Sequence, residues 1–217
     1  MPFCANCGSE VGGTFNFCNV CGTATSDTPV VGHPISLERV VVLSFLSFGL
    51  YIIYWFYLTW RQYRDHTGNE AYPVWHALAF VIPIYGWFRA HAHMRSYNEL
   101  IRGAGLGTDI AVGGVVTALI VSVVLDNVAL NFTGSWDYEG YSFGSALASA
   151  ILYSASLLIG LAVLIHAQTN INRYWMSLDN VRLAPARLRV GEVVFSIIGA
   201  LAWLDTLLSL FSASYRG

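Results

Sequence analysis

The chain has 217 residues, 55% of them apolar and 11% charged, with mean hydropathy +0.54. A soluble globule covers itself with polar side chains, about 25% of them charged, so a purely cytosolic enzyme is disfavoured. All 11 basic residues are Arg and there are 13 acids, so a net charge of −2 leaves no cationic excess for a polyphosphate and argues against nucleic-acid binding.

What remains is a small integral membrane protein. All four cysteines fall near the start, as Cys4-Ala-Asn-Cys7 and, ten residues later, Cys18-Asn-Val-Cys21, with Gly8 and Gly22 directly after each pair. Two residues between thiols let one tight turn aim both sulfurs at one ion, and the following Gly permits the positive φ that ends such a knuckle. Gly12-Gly13 suits a hairpin turn between the knuckles, with Phe15 and Phe17 alternating on one side. Residues 1–24 are therefore expected to form a β zinc ribbon in which Cys4, Cys7, Cys18 and Cys21 close a tetrahedral site around one structural Zn2+. Two disulfides or a redox dithiol are the alternatives. Thiolates that stay reduced would put the amino terminus in the cytosol. Residues 1–38 hold no Arg or Lys, while Glu10, Asp27 and Glu38 are acidic. A protein partner, or a purely structural role, fits this better than a phosphate ligand.

Residues 25–37 lack a helical period and contain two prolines, the pattern of a flexible linker. The polar, cysteine-rich start does not read as a signal peptide, so insertion is expected to use internal segments.

Residues 38–109 hold two less regular apolar segments. Val40 to Trp60 is long enough to span, but Gly49 interrupts it; Val74 to Phe88 is short and contains Pro83. Either could cross or re-enter. At an offset of 34 they align: Gly49-Leu50-Tyr51 over Pro83-Ile84-Tyr85, and Arg61-Gln-Tyr63-Arg-Asp65 over Arg95-Ser-Tyr97-Asn-Glu99. The repeated order suggests a broken apolar element running into an amphipathic interfacial helix. Arg61, Arg64, Arg95, Arg102 and Arg173 would then reach lipid phosphate. His91 and His93 lie two apart, about 200° around a helix, and cannot share one ion there. His76 reads as a residue bordering the headgroups.

Residues 110–217 carry three plain spanning segments, Ile110–Leu130, Phe143–Ile165 and Val193–Phe211. Thr108-Asp109 is the expected cap of the first. Small residues four apart (Gly114 and Ala118; Ala146, Ala150 and Ser154) suit close packing of the first two. The Arg-rich stretches 89–109 and 168–190 flank Asn131–Ser142, which has no Arg and carries Asp137 and Glu139. The positive-inside rule puts the former in the cytosol and the latter outside. Re-entry of the early segments would keep Arg61 and Arg64 inside, whereas crossing would put them outside.

The cysteine-rich start followed by Leu43-Ser-Phe-Leu-Ser-Phe-Gly49-Leu-Tyr51-Ile-Ile-Tyr54-Trp55-Phe56 resembles the bacterial zinc-ribbon-fronted membrane proteins of unknown function, marked by a Gly-Ile-Tyr…Tyr-Trp core. Leu50 stands where Ile is usual, and Ser47 near a frequent Thr. Asn172-Arg-Tyr-Trp175 resembles a later motif of the same proteins. The resemblance covers about residues 1–65; it implies bacterial plasma-membrane residence and supplies no activity or catalytic residues.

The expected fold is thus a small amino-terminal β zinc ribbon plus an all-α membrane domain of about five transmembrane or re-entrant helices. Asp126, Asp205 and His166 are the candidate intramembrane polar site, because an ionisable group in lipid is a functional candidate by default. Asp205 is nearest the middle of its segment and could accept a bond from Trp203. No nucleophile elbow, P-loop, HExxH or dinucleotide fingerprint occurs. The expected function is that of a non-enzymatic protein-binding or accessory subunit of a membrane complex, with a small transporter or channel using Asp205 as the alternative. No small-molecule substrate is indicated.

Overall fold

A computed structural model describes residues 7, 9, 30–31, 34–82, 84–133, 140–178, 182–183 and 188–216. Three helices, α5 (Val112–Thr133), α6 (Phe143–Ser177) and α7 (Val190–Phe211), are long and apolar enough to cross a membrane. Only 17%, 22% and 11% of their most apolar windows are buried by protein. So much uncovered apolar surface needs lipid to cover it, and the chain is a membrane protein. Between α5 and α6, Ser122 Oγ lies 2.8 Å from Ser156 Oγ and Thr133 Oγ1 lies 3.5 Å from Ser149 Oγ. Small hydroxyl residues and the buried Ala146 thus let the two backbones run close. The short α8 (Ala213–Arg216) folds back: Arg216 Nη1 donates to Ser209 O at 2.8 Å, satisfying a carbonyl at the end of α7.

The expected β ribbon and five-helix count need correction. The regular structure among the described residues is helical apart from a two-residue parallel pairing of Val30–Val31 with Arg182–Leu183. They contain three candidate spans and no β ribbon. The ribbon expectation falls on residues 1–24, which lie outside the described residues except for Cys7 and Ser9.

Neither early segment is among the candidate spans; each is a helix, a sharp break and a second helix that returns. In the first, α1 (Leu37–Leu46) leads through a turn into α2 (Tyr51–Thr67). At 10 residues, α1 is about 15 Å long, half the hydrocarbon core. The turn places Phe48 at φ 53 and Gly49 at φ 85, and Gly49 N–H reaches back to Ser44 O at 2.8 Å. This six-residue loop ends α1 and leaves the Ser47 hydroxyl to accept from Tyr51 N–H at 2.8 Å, opening α2. Contacts along α7 show the return. Arg39 binds Glu192 in the first turn of α7, Ser47 presses on Gly199 mid-helix, and Tyr54 is back against Gly191. The second unit is α3 (Pro73–Leu78), a 3₁₀ turn over Ala79–Val81, a break with Ile84 at φ 68, and α4 (Tyr85–Gly103). It too closes on itself: His76 of α3 meets Arg89 of α4 at 2.6 Å, and a Cβ at Gly86 would sit 3.0 Å from Ala79 O.

α2 and α4 therefore run parallel from tip to base, and repeat-equivalent residues meet. Thr59 Oγ1 is 2.8 Å from His93 Nε2, and the rings of Tyr63 and Tyr97 lie 5.7 Å apart. Both pairs are separated by 34 positions. The core sits at this base, where Trp55, Phe56, Tyr97, Ile101, Ile171 and Trp175 are buried. It is completed by the lower part of α6, which continues 12 residues past the expected end at Ile165 (177 − 165).

Candidate functional site

Two polar assemblies stand out, one in the base and one among the apolar helices. In the base, Trp55 Nε1 donates to Gln168 Oε1 at 2.6 Å, and Gln168 Nε2 to Asn172 Oδ1 at 2.6 Å. Asn172 Nδ2 in turn donates to Ile35 O at 2.8 Å. Gln168 and Asn172 are four apart, hence one above the other on one face of α6, and they tie α2 to the entry of α1. Tyr97 Oη donates to Thr59 O at 2.8 Å. The single hydroxyl proton of Thr59 goes to Trp55 O at 2.8 Å, so His93 Nε2 is the donor to Thr59 and His93 Nδ1 is an acceptor without a partner. His93 is fully buried among Trp55, Phe56 and Trp60. Burial, with the charge of Arg89 and neighbouring His76 in addition, pushes its pKa down to about 3. Burial and Arg89 likewise lower His76 to about 4. Both rings are neutral at neutral pH, and neither has the matched pKa of an acid–base catalyst there.

At the neighbouring edge, Asn98 Nδ2 donates to Ile110 O at 2.9 Å, Thr108 Oγ1 donates to Asn98 Oδ1 at 2.6 Å, and Asp109 N–H donates to Asn170 Oδ1 at 3.1 Å. Thr108 thus latches α4 to the start of α5 instead of capping it; the helix begins at Val112.

The second assembly is a cavity of about 580 Å³ between the two hairpin tips and α5–α6. Phe48, Ile52, Phe80, Trp87 and Leu161 form apolar wall; Ser44, Ser122, Asp126, Asn127, Tyr153 and Ser156 are its polar lining. Asp126 lies beside Ser156, whose hydroxyl is 2.8 Å from that of Ser122. Ser44 is part of the cavity wall; the residue is 2% exposed, and its buried hydroxyl has no hydrogen-bond partner.

The sequence-predicted residues do not converge. Asp126 lines the cavity. Asp205 is exposed and accepts from Tyr215 Oη, linking α7 to α8. Trp203 donates to Phe45 O at 2.7 Å rather than to Asp205, satisfying a carbonyl at the end of α1. His166 is exposed and faces Asp109 O at 3.1 Å; its position on α6 is 10 residues, about 15 Å, from Ser156. Arg61 and Arg64 both pair with Asp65, and Arg95 with Glu99 at 2.9 Å, all on open surface where such pairs contribute about 0–1 kcal/mol. Arg102 is exposed, and Arg173 donates to Gly107 O at 3.2 Å. These guanidiniums, with Arg39 and Arg189, lie at the base end. Cys7 is exposed, with Ser9 Oγ 2.7 Å from its Sγ; Cys4, Cys18 and Cys21 lie outside the described residues.

Sequence reasoning missed the Trp55–Gln168–Asn172–Ile35 chain and the buried role of His93. The four-residue spacing of Gln168 and Asn172 was the signal for the first. The 34-residue offset between Thr59 and His93 was the signal for the second.

No protein-family model, curated protein or solved structure matches this chain. Fold and site together define a class, a membrane protein of three candidate spans and two broken-helix hairpins.

Proposed function

We propose that the chain is a non-enzymatic, multi-pass protein of the bacterial plasma membrane, acting as a protein-binding or accessory subunit of a membrane complex. Cys4, Cys7, Cys18 and Cys21 hold one structural Zn2+ in it, a donor set of four thiolates that suits zinc and leaves no open coordination position. The observation that carries this reading is the anchoring of the cysteine-bearing segment to the base. Ile35 is buried, its carbonyl is held by Asn172, and the next turn is held by the Arg39–Glu192 pair. The amino-terminal segment therefore leaves from a fixed point on a rigid platform, the arrangement a presented docking module needs. Gathering of Arg39, Arg61, Arg64, Arg95, Arg102, Arg173 and Arg189 at that end supports a cytosolic base and amino terminus by the positive-inside rule. The resemblance over residues 1–65 is in keeping with bacterial residence.

The test is purification of the intact chain in mild detergent, with elemental analysis and identification of copurifying protein. One zinc per chain and a stoichiometric partner are expected, and Cys18→Ser should lose both. Full zinc retention by Cys18→Ser would contradict the four-thiolate site. Repeated recovery of a lone monomer would contradict the subunit role.

A further inference from the structure

We propose that the cavity between the hairpin tips is a binding site for an apolar organic cation, with Asp126 as its counter-ion. At about 580 Å³ the cavity lies within the range that encloses a drug-sized molecule. Its lining is mostly aliphatic and aromatic, yet it holds the carboxylate of Asp126, and among the described residues no Arg, Lys or His lines it. An ionised carboxylate among apolar helices is costly without a partner of opposite charge, and among the described residues no cationic side chain lines the cavity to supply one. Ser44, a residue of the cavity wall, is a second polar group there, and its buried hydroxyl has no hydrogen-bond partner.

The chemistry of the walls selects the kind of cation. A small inorganic ion would have to exchange its hydration shell for the side-chain oxygens of the wall, those of Asp126, Asn127, Ser44, Ser122, Ser156 and Tyr153, of which only Asp126 carries charge. A bulky cation with delocalised charge sheds water easily and fills the apolar volume. It can also rest on the faces of Phe48, Trp87 and Tyr153, which attract positive charge. The neighbouring groove between Phe45, Leu158 and Trp203 has no charged lining residue and offers no such selectivity.

The test uses the full-length protein in mild detergent and equilibrium binding of radiolabelled tetraphenylphosphonium. Tetraphenylborate, of nearly the same size and opposite charge, is the control. Saturable binding of one tetraphenylphosphonium per chain is expected, with at least tenfold weaker binding of tetraphenylborate. Asp126→Asn should weaken the cation at least tenfold, Ser44→Ala should weaken it measurably, and Asp205→Asn should leave it unchanged. Gly160→Leu offers a second route should Asp126→Asn fold poorly: Gly160 lines the cavity with nothing within 4 Å of its missing Cβ, so Leu fills the space and should abolish binding. Lack of saturable cation binding, equal binding of the anion, or unchanged affinity in Gly160→Leu would each overturn the proposal. The subunit reading rests on residues 1–39 and stands or falls separately.

Discussion

Arg39→Ala is expected to destabilise the protein by about 3–5 kcal/mol, among the largest losses from any single side chain outside the aromatic core. Glu192 is 1% exposed and its carboxylate takes three N–H donors: Arg39 Nε at 2.9 Å, Arg39 Nη2, and Arg189 N–H at 2.8 Å. Removing Arg39 leaves a buried carboxylate with one of its three donors and without its ion-pair partner. Glu192→Gln should cost less, because Arg39 is 15% exposed and its guanidinium can turn to water. Replacing both with apolar residues of similar volume, as in Arg39→Met with Glu192→Leu, should recover most of the loss, since neither charge is then buried. Arg95→Ala is the contrast. Its pair with Glu99 is 68% and 65% exposed, so less than about 0.5 kcal/mol is expected. Unfolding midpoints in mild detergent would rank the four variants. A loss in Arg39→Ala no greater than that in Arg95→Ala would show that the pair does not hold α1 to α7.

Gly199→Leu should be comparably damaging for a steric reason. A Cβ at Gly199 would fall inside the backbone of Ser47, so any side chain must push the first hairpin off α7. Helix propensity works the other way, since replacing a helical Gly gains up to about 1 kcal/mol. Overpacking against backbone costs about 1–3 kcal/mol or more, and it should win. The displaced hairpin would also lose the Phe45 and Phe48 ring contacts with Trp203, each at 4.8 Å. Two other glycines sharpen the expectation. The three atoms nearest a Cβ at Gly191 all belong to the side-chain ring of Tyr54 rather than to backbone, so Gly191→Ala should be milder than Gly199→Leu. Gly113 on α5 has nothing within 4 Å, and Gly113→Leu should leave the unfolding midpoint near that of the parent chain.

The three spans were legible because lipid imposes a simple rule, about 20 apolar residues in a row. Expected ends at Ile110, Phe143 and Phe211 lie within two residues of the helix ends found. The rule fails where burial is by protein instead of lipid. Gln168, Asn170 and Asn172 made α6 look finished at Ile165, yet all three work against α2, the start of α1 or the start of α5, and the helix runs on to Ser177. Gly49 marked a break, and the 34-residue offset marked its recurrence. Neither told which way the chain goes afterwards, because that depends on Arg39 meeting Glu192 across 153 positions and on Ser47 settling against Gly199. No local pattern encodes such a pairing. Of the candidate acids, Asp205 looked better placed by depth alone. Its engagement by Tyr215, and the position of Asp126 beside Ser156 at a cavity, depend on how α8 and the hairpin tips fold back.

The return of both hairpins to the end from which they start decides where every later loop lies, and the side of the membrane on which Glu70 sits tests it most directly. In a chain with Cys4, Cys7, Cys18 and Cys21 changed to Ser, single cysteines at Glu38, Glu70 and Ser214 would be labelled with a membrane-impermeant maleimide in sealed vesicles of each orientation. Glu38→Cys and Glu70→Cys should react from the same face, and Ser214→Cys from the opposite one. Reaction of Glu70→Cys from the face of Ser214→Cys would mean that the first segment crosses the bilayer, contrary to the hairpin.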